Sequence, residues 1–127
     1  MTKQYLISNG QVPKKEFDLE SRTLKFAAEC ITLSKLIMKD PINVQISTQL
    51  VRSSSSVGAN YREANEAMTK KEFYYRIGIA RRESKESKYW LELLLHANSS
   101  LIKETRPLID EALQLTKIFS SIALGYK

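Results

Sequence analysis

The chain has 127 residues, of which 43% are apolar and 27% charged, enough for one domain with a buried core and too apolar for a disordered chain. Its 4 Gly and 3 Pro are too few for the turns of an all-β protein, and long stretches free of both favour helices. A net charge of +6 permits contact with nucleic acid, while the single cysteine, Cys30, excludes an internal disulfide framework and fits a reducing compartment.

The first 16 residues lack the apolar core of a secretory signal and read as a mobile segment ahead of a single domain at 17–127. No apolar run approaches the roughly 20 residues that span a bilayer, so a cytoplasmic protein without a membrane partner is expected. Helix one is predicted from about Phe17 to Lys39 and ends at "KDPIN", where Pro41 restricts Asp40 away from helical geometry. Leu24, Ala27, Ala28, Ile31 and Met38 form one apolar stripe along it, and Phe26, Cys30, Leu33 and Ile37 form a second. So broad an apolar face suits a helix with more than one neighbour.

The stretch "VRSSSSVGANYREANEA" at residues 51–67 has the composition of a flexible tether. Its register says otherwise. From a predicted N-cap at Asn43, Ile46, Leu50, Ser53, Val57, Asn60 and Ala64 recur at spacings of 4, 3, 4, 3 and 4, a heptad periodicity that runs through the serines. Ser54 and Gly58, four residues apart, are small enough to admit a neighbouring backbone.

Helix three has the clearest start. Thr69 and Glu72 make a T-x-x-E capping box, and Met68 with Phe73 fits a hydrophobic staple. Phe73, Ile77, Ala80, Ser84, Ser87, Leu91 and Leu94 continue the same alternation to about Ala97, where "NSS" ends it. Helix four is predicted to open near Thr105 with Pro107 in its first turn. Leu108, Ala112, Leu115, Phe119 and Ile122 form its apolar row, and Gly125 is its stop. Four helices with short connections predict an all-α fold, an up-and-down antiparallel four-helix bundle.

Polar groups flank these rows. On helix two, Gln49, Arg52, Ser56 and Glu63 line one side of the stripe and Asn60 sits within it; on helix three, Arg76, Glu83 and Trp90 recur along one flank, with Glu86 slightly further round. They either pair across helices and fix register or form an acid/base site. No nucleophile, histidine or Gly-rich loop accompanies them, which favours pairing.

The opposite flank of helix three carries Lys70, Arg81, Lys85 and Lys88, interleaved with Tyr74. Residues 69–98 hold seven basic and four acidic side chains, the largest local surplus in the chain. Such a strip either neutralises phosphates, with an aromatic ring stacked on a base, or is a solvated face that also contains Glu92 and the favourable Glu72/Arg76 pair. The one histidine, His96, stands in E-x-x-x-H, whereas a di-iron bundle uses E-x-x-H on two helices. Cys30 reads as a small core residue. With no P-loop, Rossmann fingerprint or Cys/His zinc spacing, no catalytic residue, metal, cofactor or small-molecule substrate is expected.

The segments "QLVRSSSSVGANYREA" and "KKEFYYRIGIARRESKESKYWL" resemble a family of small bacterial four-helix bundles. It includes the proteins encoded within 23S rRNA intervening sequences and the accessory protein of diversity-generating retroelements. The family's Arg, Ser-hydrophobic-x-x-Asn and following Glu match Arg52, Ser56-Val57, Asn60 and Glu63. Its Ala-Arg followed by Ser and Glu matches Ala80, Arg81, Ser84 and Glu86. The common "NIAEG" ending is replaced by "NYREANEA", so helix two is expected to run longer before it turns. The resemblance implies a homopentamer around a central channel and a role in binding nucleic acid or a ribonucleoprotein; it implies no catalytic residue.

Together these readings give a non-enzymatic, oligomeric bundle that binds structured RNA or a ribonucleoprotein. Lys70, Lys71, Arg81, Arg82, Lys85 and Lys88 are the expected phosphate contacts. Arg52, Ser56, Asn60, Glu63, Ser84 and Glu86 are the expected structural polar network. The rival is a protein-partner adaptor whose basic excess serves only charge complementarity.

Overall fold

The structure, a computed structural model, describes residues 18–126; the segment at 1–16 and the expected helix start at Phe17 lie outside the described residues. Four helices follow one another: α1 (Leu19–Leu36), α2 (Pro41–Asn65), α3 (Lys70–Ala97) and α4 (Ile102–Ala123), with a single 3-10 turn at Ser99–Leu101 before the last. The serine run lies wholly within α2, as its periodicity predicts.

The helix ends show which local signals prevail. Asp40, not Asn43, caps α2: its carboxylate accepts from the N–H groups of Ile42 at 2.7 Å and Asn43 at 3.3 Å. Pro41 holds Asp40 extended and is itself preset for the first helical position, where no N–H is needed. Thr69 caps α3 as predicted, accepting from the Glu72 N–H at 3.1 Å. The staple does not form: Met68 is 91% exposed, while Ala67 is the buried residue of the turn. Helix α2 ends at Asn65, and α4 begins at Ile102, so Pro107 lies one turn deeper than expected.

Cross-helix contacts fix the topology. Glu20, early in α1, accepts from Arg62 and Asn65 at the end of α2. Asn43, early in α2, exchanges hydrogen bonds with Asn98 just past α3, and Arg81 of α3 reaches Ser120 near the end of α4. Each consecutive pair is therefore antiparallel. The seam between α1 and α4 is the slightest of the four and is bridged by a two-pronged Arg22–Glu111 pair at 2.6 and 2.9 Å. Those bonds raise the Arg22 pKa further, against the opposing effect of burial.

The core forms where the apolar rows meet. Phe26, Cys30 and Leu33 come from α1, and Leu50, Val57, Tyr61 and Ala64 from α2. Ile77, Ala80, Leu91 and Leu94 come from α3, and Leu108, Ala112, Leu115, Phe119 and Ile122 from α4. The second apolar stripe of α1 is the one that faces this core. Leu24, Ile31 and Met38 of the first stripe remain exposed. No helix among the described residues is long and apolar enough to cross a membrane.

Candidate nucleic-acid interface on helix α3

Helix α3 offers its core side to α2 and α4, which divides its polar residues by direction. Ile77, Ala80, Ser84, Ser87, Leu91 and Leu94 are buried. The residues half a turn away face solvent. Lys71, Arg82 and Lys85 lie on that outward side and are exposed; none of them is ion-paired among the described residues.

The other expected phosphate contacts are placed differently. Lys70 is exposed at the first position of α3. Arg81 is half-buried and donates through Nε to Ser120 Oγ at 3.0 Å, which ties it to α4. Lys88 is paired with Glu92 at 3.2 Å. Tyr74, the ring expected among the charges, is packed between Phe73 and Tyr126 with centroids 5.0 and 4.9 Å away. Its neighbour Tyr75 is the open one, 62% exposed, and so is Tyr89, at 54%. The expected strip thus divides: Lys71, Arg82 and Lys85 point outward, while Arg81 is committed to the bundle.

Tyr75 and Tyr89 were both absent from the expected interface. The signal that would have found them is the 4-3 alternation of the core row, followed on the opposite side of the helix.

The polar network forms along the α2–α3 seam, with changes in membership. Arg52 donates to Gln49 at 3.0 Å and Glu83 at 3.2 Å and also pairs with Glu86. Glu86 accepts in addition from Trp90 Nε1 at 2.8 Å. Asn60 donates to the Ser56 carbonyl at 2.9 Å and accepts from Arg76 at 3.2 Å. A guanidinium holding two carboxylates from the facing helix fixes the relative slide of α2 and α3.

Ser84 and Glu63 fall outside this network. Ser84 is buried and donates to the Ala80 carbonyl at 2.9 Å, and the Glu63 side chain is exposed and unpaired among the described residues. The carboxylates and guanidinium of the seam are thus engaged with each other rather than converging on an open pocket. No group of metal-binding side chains occurs among the described residues.

The chain is similar both to a protein family and to solved structures. The model of the family described as 23S rRNA-intervening sequence protein matches residues 15–121. A solved protein of unknown function from the S23 ribosomal protein family, from Bacteroides thetaiotaomicron VPI-5482, is 30% identical. Its alignment covers 83% of this chain and 97% of that one, with a TM-score of 0.76. No curated protein matches the chain.

Proposed function

The chain belongs to the 23S rRNA-intervening sequence protein family, and we propose that it is a non-enzymatic protein of the cytoplasm that binds structured RNA or a ribonucleoprotein through α3. The observation that carries this reading is the outward side of α3, where Lys71, Arg82 and Lys85 stand exposed. Of the four carboxylates on α3, Glu83 and Glu86 are engaged with Arg52 and Glu92 with Lys88, and only Glu72 is unpaired among the described residues. Cations left free of acidic partners attract phosphates at long range and release condensed counterions on contact.

The protein acts as a homo-oligomer in this reading, with five copies as the family resemblance implies. The exposed apolar residues Leu24 and Ile31 on α1 and Met38 just past its end support an association surface there, away from the basic helix. Light scattering reads the stoichiometry directly.

Fluorescence anisotropy with a labelled RNA hairpin tests the binding. Affinity is expected to fall linearly with salt on logarithmic axes, by about 0.9 of a unit per phosphate contact on a duplex. Arg82→Glu combined with Lys85→Glu is expected to weaken binding strongly. Binding indifferent to salt or to these reversals would sink the reading and favour a protein-partner adaptor, which a nuclease-treated pull-down would then retain.

A further inference from the structure

Lys71, Tyr75, Gly78, Arg82, Lys85 and Tyr89 follow one another at spacings of 4, 3, 4, 3 and 4, the alternation that keeps residues on one line of a helix. This line runs opposite the buried row of α3. Both tyrosines leave most of their surface to solvent, yet neither ring is without support. Tyr89 stands edge-on to Trp90 with centroids 5.0 Å apart, and the Arg76 guanidinium lies 5.8 Å from the centre of the Tyr75 ring. A buttressed tyrosine offers a flat contact with little conformational entropy left to lose.

Gly78 sits in the same line between Tyr75 and Arg82. A methyl group added there would meet nothing within 4 Å, so packing inside the protein does not require glycine. In a helix interior glycine costs about 1 kcal/mol relative to alanine. A gap in an outward row lets a ligand's backbone come close to the helix.

We propose that this row binds unpaired nucleotides: bases stack on Tyr75 and Tyr89, and the intervening phosphates pair with Arg82 and Lys85 across the gap at Gly78. The proposal rests on the nucleic-acid reading above and adds strandedness to it. The 14 residue steps from Tyr75 to Tyr89 rise about 21 Å along the helix, room for a short run of extended nucleotides between the two rings. Bases within a duplex are already stacked on one another, whereas splayed bases in loops and single strands leave their faces open to aromatic side chains.

The test compares a labelled single-stranded RNA 15-mer with a fully paired, blunt-ended RNA duplex of the same base composition, both bound to the full chain. The single strand is expected to bind more tightly. Tyr75→Ala and Tyr89→Ala are each expected to weaken its binding by about 5- to 150-fold, the range seen for loss of one base-stacking ring. Tyr75→Phe and Tyr89→Phe keep the ring and are expected to retain binding, and duplex affinity stays at the wild-type level in all four variants. Unchanged melting curves show that these exposed positions leave the fold intact.

Equal or tighter duplex binding, or alanine variants that bind the single strand as wild type does, would overturn the single-strand proposal. If Arg82→Glu with Lys85→Glu then still abolished binding to both probes, the phosphate-contact reading would survive alone. Binding of neither probe to the wild-type chain would sink both.

Discussion

Gly58 on α2 lies so close to Thr23 on α1 that a methyl group at its Cα would stand 2.9 Å from Thr23 Oγ1 and 3.2 Å from its Cβ. Thr23 cannot swing away easily, because it is fully buried and its hydroxyl is held by the Leu19 carbonyl at 2.6 Å. Two residues of the serine run share this small-residue surface. Ser54 is buried with its hydroxyl at the Cys30 thiol, and Ser53 and Ser87 hydroxyls meet at 2.8 Å between α2 and α3. The stretch that looks like a tether is the surface that lets α2 sit close to both neighbours.

Gly58→Ala is therefore expected to destabilise the fold by about 1–3 kcal/mol, the usual cost of overpacking a tight core, despite the better helix propensity of alanine. A urea midpoint measured beside wild type checks it. The companion change Thr23→Ala in the same chain removes the nearest atom and is expected to recover part of the loss.

Gly78→Ala is expected to have the opposite sign. Open space surrounds the added methyl group, so the helix gains about 0.4–1 kcal/mol from a stiffer unfolded chain. Thermal melting at constant protein concentration reads the gain. Two glycines one helix apart thus separate a packing requirement from a surface one.

Asn43 and Asn98 exchange amide hydrogen bonds at 3.0 and 2.8 Å, clamping the start of α2 to the end of α3. Removing either alone leaves a half-satisfied amide next to the core. Asn43→Ala and Asn98→Ala are each expected to cost about 1–2 kcal/mol. Their double-mutant cycle should show coupling of about 0.5–1.5 kcal/mol, and additive costs would mean the pair contributes nothing as a pair.

Cys30 is fully buried, and burial pushes its thiol from 9.0 up to about 12, against a smaller opposing effect of the Ser54 hydroxyl. Folding favours the neutral form, so this contribution to stability is complete below pH 9 and is lost as pH rises towards 12. Wild type should lose stability relative to Cys30→Ala over that window. At pH 8, iodoacetamide should modify the native chain far more slowly than the chain in urea.

Much of the bundle is legible in the sequence because burial repeats with the helix. The rows Ile77–Ala80–Ser84–Ser87–Leu91–Leu94 and Leu108–Ala112–Leu115–Phe119–Ile122 are buried at every position. Helix α1 is ambiguous for a physical reason: both of its stripes are apolar, and sequence alone does not say which one meets α2 and α4. The interface suffers from a finer problem. Neighbours in sequence point about 100° apart on a helix, so Tyr74 and Tyr75 look alike in composition while one is packed and the other is open. The bond from Arg81 to Ser120 is hidden in the sequence for a related reason, since it depends on where α4 lies. The contacts of Arg52, Asn60 and Glu86 are easier to read because their partners lie on the adjacent, antiparallel helix.

The most direct test of an RNA surface on α3 is photo-crosslinking to RNA carrying 4-thiouridine, with the linked residues located by mass spectrometry. The account predicts crosslinks concentrated between Lys71 and Tyr89, on Tyr75, Arg82, Lys85 and Tyr89. Crosslinks confined to α1 or α4, or none under conditions where RNA is bound, would contradict it.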